Sequence, residues 1–311
     1  MKASQFQQDL RDGQPLHVYR WLPDRPARAV VMIVHGMAEH GGRYARFAKS
    51  LTAHGYAVYA PDLPGHGKTA GDENERGHFA DRDGWTHVLR AVHEVQRTAQ
   101  REHSRLPVAI FGHSMGSFIL QHYAVRYGDR LDAAIFSGTH GDLGPKRRLA
   151  LALLKTEALV LGARHKSALG EQIGFKDYAR KFKDRRSDFD WLSRDAEEVK
   201  AYIADPHCGH RCSAQLWCDI LDACGSLTDL ERLRRIPKKL PVLIVSGERD
   251  PVSEGERGAK ILAQNYKRAG LKDVEVKVYP EARHELLNET NRDEVTDDVR
   301  AWLKDKISLS T

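Results

Sequence analysis

With 311 residues, 41% of them apolar and 30% charged, the chain is long enough for a sizeable core and too well mixed for disorder. It has no apolar run near the roughly 18 residues a membrane-spanning helix needs. The formal charge of +6 favours anionic surfaces or substrates at long range, but the basic residues are dispersed apart from short clusters at Lys146–Arg148 and Lys181–Arg186. No recognition motif accompanies these clusters, so nucleic acid is not an expected partner.

The first nine residues are polar and lack the apolar centre of a signal peptide, which leads us to expect a cytoplasmic protein. A strand is predicted over Ala29–Val34, a helix over 44–54 and a second strand over Tyr56–Ala60. Trp85, Val88, Leu89, Val92 and Val95 recur at spacings of three and four, which predicts an amphipathic helix leading into a strand over 107–111. After Gly112-His113-Ser114-Met115-Gly116 a further helix begins, followed by a strand over Leu131–Phe136. This alternation predicts an α/β fold with a mostly parallel central sheet flanked by helices.

Beyond Thr139 the rhythm breaks into a helical, patchily basic stretch, and the alternation resumes at Leu240–Val245. A helix over 256–268, a strand over Val274–Tyr279 and a helix over 292–306 complete the chain. The expected organisation is a catalytic core from 1–139 and 236–311, with a helical cap inserted over 140–235. Within the cap, Leu149–Leu154 and Leu159–Leu161 form an apolar segment preceded by Lys146, Arg147 and Arg148. It could line an acyl tunnel, touch an anionic membrane surface transiently, or pack on the core.

The four cysteines, Cys208, Cys212, Cys218 and Cys224, are spaced C-x3-C-x5-C-x5-C and interleaved with His207 and His210. That spacing lacks the short paired hooks of structural zinc sites, so packing as reduced, small hydrophobes is expected, with a zinc-stabilised module over 207–224 as the alternative.

The G-x-S-x-G pentapeptide stands between a strand and a helix, the context in which a serine is held at the tip of a strained turn with the next N–H at a helix N-terminus. A serine hydroxyl needs a base, and side chains from different parallel strands converge at their carboxyl ends. Two segments following later strands supply candidates: Asp250, in Gly247-Glu248-Arg249-Asp250-Pro251, and His284, in Ala282-Arg283-His284-Glu285. The predicted triad is Ser114, Asp250 and His284, with Glu248 as the rival acid. Backbone N–H groups of Met37 and Met115 are the expected oxyanion donors, and His35 is expected to be structural.

Together with His35–His40, Arg43-Tyr44, Pro61–Gly67 and Arg283–Glu289, these motifs make the chain resemble the α/β-hydrolase superfamily. More narrowly it resembles the monoacylglycerol lipase and lysophospholipase branch, sometimes grouped with the serine aminopeptidases of type S33. The resemblance spans most of the chain and implies a Ser-Asp-His esterase for single-chain acyl esters, with a helical cap and neither metal nor organic cofactor. The same triad also serves aminopeptidases, for which Glu197 and Glu198 are candidate ammonium anchors, and acyltransferases. A non-catalytic lipid-binding protein on this fold is the alternative of a different class.

Overall fold

The computed structural model describes residues 1–10, 13 and 15–307. Eight strands form one sheet: β1 (Lys2–Asp9), β2 (Pro15–Leu22), β3 (Ala29–Val34), β4 (Tyr56–Pro61), β5 (Val108–His113), β6 (Ala133–Ser137), β7 (Val242–Gly247) and β8 (Val274–Tyr279). Their spatial order is β1-β2-β4-β3-β5-β6-β7-β8, antiparallel at the first two pairings and parallel from β4 to β8.

The central strands are apolar throughout because both faces are covered. Alternate residues of β3 divide between two cores: Val30, Met32 and Val34 enter one, Val31 and Ile33 the other. The first core is closed by α2 (Gly84–Glu102) and α3 (Met115–Tyr127) through Val88, Val92, Val95 and Ile119, and by Leu262 and Tyr266 of the helix Glu256–Arg268. The second is closed by Phe47 and Leu51 of α1 (Ala45–Ala53) and by Val295, Val299 and Trp302 of the helix Arg292–Lys306.

The alternation predicted from Ala29 onward is present, but β1 and β2 escape it. In β1 the sequence Lys-Ala-Ser-Gln-Phe-Gln-Gln-Asp has no apolar face to detect, since this edge strand has only one neighbour and is mostly exposed. Between β6 and β7 lie α4 (Lys146–Leu161), several short turns of helix, and the helices Ala196–Ala204 and Ala214–Ala223. Only Leu154 of α4 is fully buried, whereas Leu149 is 67% and Leu159 86% exposed.

Candidate active site

Ser114 joins β5 to α3 with φ +52°, a backbone region that costs a non-glycine residue of order 1–3 kcal/mol and is held only by its surroundings. Those surroundings are close. A Cβ on Gly116 would stand 2.1 Å from the Val34 carbonyl oxygen, and one on Gly112 would stand 2.5 Å from the Gly116 carbonyl oxygen. The two glycines therefore let α3 start directly against β3 and β5. The Ser114 carbonyl accepts hydrogen bonds from the Ser117 N–H at 2.8 Å and the Ser117 hydroxyl at 2.6 Å, closing the first turn of the helix.

His284 lies in the loop after β8, and its Nδ1 donates to Asp250 Oδ1 at 2.9 Å, from the loop after β7. Both side chains are buried. Asp250 also accepts from the Val252 N–H and the Ser253 hydroxyl, each at 2.8 Å, so three donors fix its carboxylate in position. Burial alone would raise its pKa; the facing His284, with these hydrogen bonds, outweighs burial and holds the carboxyl below its ordinary value. Burial likewise opposes charging His284, but Asp250 reverses the balance and raises the imidazole above 6.5. Glu248, the rival acid, is exposed and accepts from the Glu281 N–H at 2.9 Å instead.

The His284 ring is flanked by His113, 4.7 Å away between centroids, and by Trp191 at 5.0 Å. His113 is the residue before Ser114, and Trp191 lines the cavity beside Ser114. That cavity, about 80 Å³, is walled by Met37, Ser114, Met115, Phe118, Phe175, Trp191 and Trp217, among others. Its narrowness and aromatic lining suit an apolar substrate portion. Larger hollows of about 560 and 410 Å³ open elsewhere, and neither is lined by Ser114, Asp250 or His284. No residue of α4 lines the Ser114 cavity, so the apolar stretch considered for an acyl tunnel lies outside it.

Met37 and Met115 both reach this cavity, and among the described residues neither backbone N–H is used in a turn or loop hydrogen bond. The Met37 loop is held from beneath. Glu39 accepts from the Gly36 N–H at 2.6 Å, the Tyr44 hydroxyl at 2.9 Å and Arg43 at 2.8 Å. Arg43 reaches on to Glu285 with two bonds of 2.7 Å, next to the histidine. Burial opposes ionising Glu285, yet the Arg43 guanidinium brings its carboxyl down to about 2. One arginine thus braces both the Met37 loop and the His284 loop.

Glu39, Arg43 and Glu285 have no role in the sequence reading, although all three sit in motifs that carry the family resemblance. An acidic and a basic residue four apart, just after a glycine loop, was the available signal. His35 is fully engaged: its Nε2 accepts from the Leu63 N–H at 2.9 Å and its Nδ1 donates to the Gly36 carbonyl at 2.7 Å. Cys212, Cys218 and Cys224 are buried, and all four cysteines are free thiols.

The sequence profile of a family described as serine aminopeptidase, S33, matches residues 25–291. A monoacylglycerol lipase of Mycolicibacterium smegmatis is 34% identical over 290 residues, covering 91% of this chain and 90% of the relative. Human monoglyceride lipase is 28% identical, covering 96% and 90%. Among solved structures, a thermostable carboxyl esterase from Bacillus coagulans in complex with glycerol superimposes with a TM-score of 0.91 at 25% identity, covering 99% of this chain and 100% of that one.

Proposed function

The chain belongs to the serine aminopeptidase S33 family of α/β-hydrolases, in its monoacylglycerol lipase branch, and is a carboxylic ester hydrolase; on that premise we propose that it cleaves monoacylglycerol or lysophospholipid-type single-chain esters through a Ser114-Asp250-His284 triad. The observation that carries this reading is the buried His284–Asp250 pair, linked through Trp191 and His113 to the cavity and strained turn of Ser114.

In this mechanism His284 Nε2 takes the Ser114 proton as the hydroxyl attacks the ester carbonyl. Asp250 fixes the tautomer that leaves Nε2 unprotonated and compensates the imidazolium charge. The Met37 and Met115 N–H groups receive the oxyanion, each typically worth ~3 kcal/mol in the transition state. His284 returns the proton to the departing alcohol, and water repeats the cycle on the acyl-enzyme. No metal or organic cofactor takes part in these steps.

The aminopeptidase reading needs an anion near the cavity for a substrate ammonium. Glu197 pairs with Lys200 and Glu198 with Arg46, and neither lines the cavity, which favours the ester. The segment 140–235 acts as the cap over a core of 1–139 and 236–311, and it selects the acyl chain. Among the described residues no helix is long and apolar enough to cross a membrane. A cytoplasmic enzyme visiting an anionic membrane surface through the exposed leucines and flanking basic residues of α4 is consistent with their exposure.

The decisive experiment pairs Ser114→Ala with fluorophosphonate labelling and turnover of monoacylglycerol, lysophospholipid and aminoacyl amide substrates. Labelling and ester turnover should both vanish. Labelling that survives the substitution would refute the nucleophile, and preferential loss of amide cleavage would transfer the assignment to a peptidase.

A further inference from the structure

Away from the Ser114 cavity, His66, His210 and Cys212 place a ring nitrogen from each histidine and the Cys212 Sγ within 4.8 Å of one another. His66 comes from the loop after β4; His210 and Cys212 come from the inserted segment. His66 and Cys212 are almost completely buried.

The hydrogen bonding of these side chains is incomplete in an informative way. His66 Nδ1 donates to the Pro64 carbonyl at 2.9 Å, which fixes the tautomer and leaves Nε2 with a free lone pair and no proton. That Nε2 is buried with no hydrogen-bond partner, and so are both ring nitrogens of His210. A buried polar atom without a partner costs about 1–3 kcal/mol, and here His66 and His210 each bring one to the same point. An imidazole whose far nitrogen is tied to a backbone carbonyl is the usual arrangement of a metal-ligating histidine.

We propose that His66, His210 and Cys212 bind one zinc ion, which fastens the loop after β4 to the inserted segment. Imidazole nitrogen and thiolate sulfur are both ordinary zinc ligands, and three such donors leave the fourth tetrahedral position for water. Bond lengths of about 2.1 Å to nitrogen and 2.3 Å to sulfur would draw the three atoms together by small side-chain rotations. Binding releases the Cys212 thiol proton to solvent, leaving a thiolate on the metal. Lys166 and Arg76 are the nearby cations; Lys166 Nζ donates to the Arg76 carbonyl and its charge favours the thiolate while opposing the dication.

The neighbouring group of His40, Asp205 and Cys208 has similar composition but a different state. His40 Nε2 is bonded to Asp205 at 2.9 Å and its Nδ1 accepts from the Gly42 N–H at 3.2 Å, so no ring nitrogen there awaits a ligand. The site takes His210 and one cysteine from the 207–224 cluster and completes them with the distant His66.

The test uses the full chain, stripped with chelator and dialysed against Zn²⁺ or Co²⁺, with metal content, cobalt absorption and thermal midpoint as readouts. The expected result is one ion per chain, a thiolate-to-cobalt charge-transfer band and a zinc-dependent rise in midpoint. Cys212→Ser and His210→Gln should each abolish the band and weaken binding by more than the roughly 10–100-fold that loss of a partner behind a ligand costs; Cys208→Ser should preserve both. Fluorophosphonate labelling of each variant reports that it is folded. Substoichiometric metal after dialysis, a band that survives Cys212→Ser, or a band lost in Cys208→Ser would overturn the site.

Discussion

His284 and His210 are both held in the interior by loops, yet their ring nitrogens meet opposite surroundings. His284 faces a carboxylate that is itself held by Val252 and Ser253, and its pKa rises. His210 faces another imidazole and a thiol, and burial drives its pKa down to about 2. Burial is the largest single influence on both. The partner decides whether a buried imidazole can carry a proton during a reaction or only offer a lone pair.

The largest expected effect lies on the partnered side. Asp250→Asn keeps the shape but favours the wrong His284 tautomer, and should lower kcat roughly 10⁴-fold with little change in fold, measured by ester turnover beside circular dichroism. A loss of less than tenfold would mean that Asp250 does not orient the base. Next comes the brace: Arg43→Met strands Glu39 and Glu285 as buried, uncompensated carboxylates, at a cost of about 3–5 kcal/mol in denaturant unfolding. Unfolding unchanged from the parent would show that the two loops are held by other means.

The partnered histidine also sets a pH signature. In the proposed mechanism His284 must be neutral to accept the Ser114 proton, and its pKa is raised, so kcat/KM should rise with pH through a midpoint above 6.5. For stability the sign is the reverse. The contribution from His284 is complete below its unfolded value and is lost as pH climbs through the folded value. Asp250, being depressed, contributes above its ordinary value and loses that contribution as pH falls through the folded one. An acidic limb centred at or below 6.5 would break the contrast with His210.

The smallest effect belongs to the exposed leucines. Leu159→Asp should change stability by no more than about 0.5 kcal/mol while reducing sedimentation with anionic phospholipid vesicles. Unchanged vesicle binding would remove α4 from the membrane reading.

Much of the fold was legible from Ala29 onward because parallel strands covered on both faces are written as apolar runs, and the five-residue elbow falls between two of them. β1 was illegible for the complementary reason: a mostly exposed edge strand with Phe6 as its one apolar contact to the core carries no hydrophobic period. The positions of Ser114, Asp250 and His284 were readable as loops following β5, β7 and β8. The shared grip of Arg43 on Glu39 and Glu285 was not, because Arg43 and Glu285 are separated by 242 positions and belong to no pattern of spacing. The same limit hid His66 as a companion of Cys212.

One contact between the helical segment joining β6 to β7 and the loop after β8 has a practical corollary. Trp191 and Leu192 accept backbone hydrogen bonds from His284 and Glu285, at 3.4 and 2.7 Å, while the Trp191 ring walls the cavity. The segment that walls the Ser114 cavity is thereby stitched to the main chain of the proposed base, His284. Exchanging this insert for that of a relative is therefore not a neutral transplant. A chimera must carry a matching pair of carbonyls at 191–192, or its altered selectivity will arrive together with a misplaced imidazole.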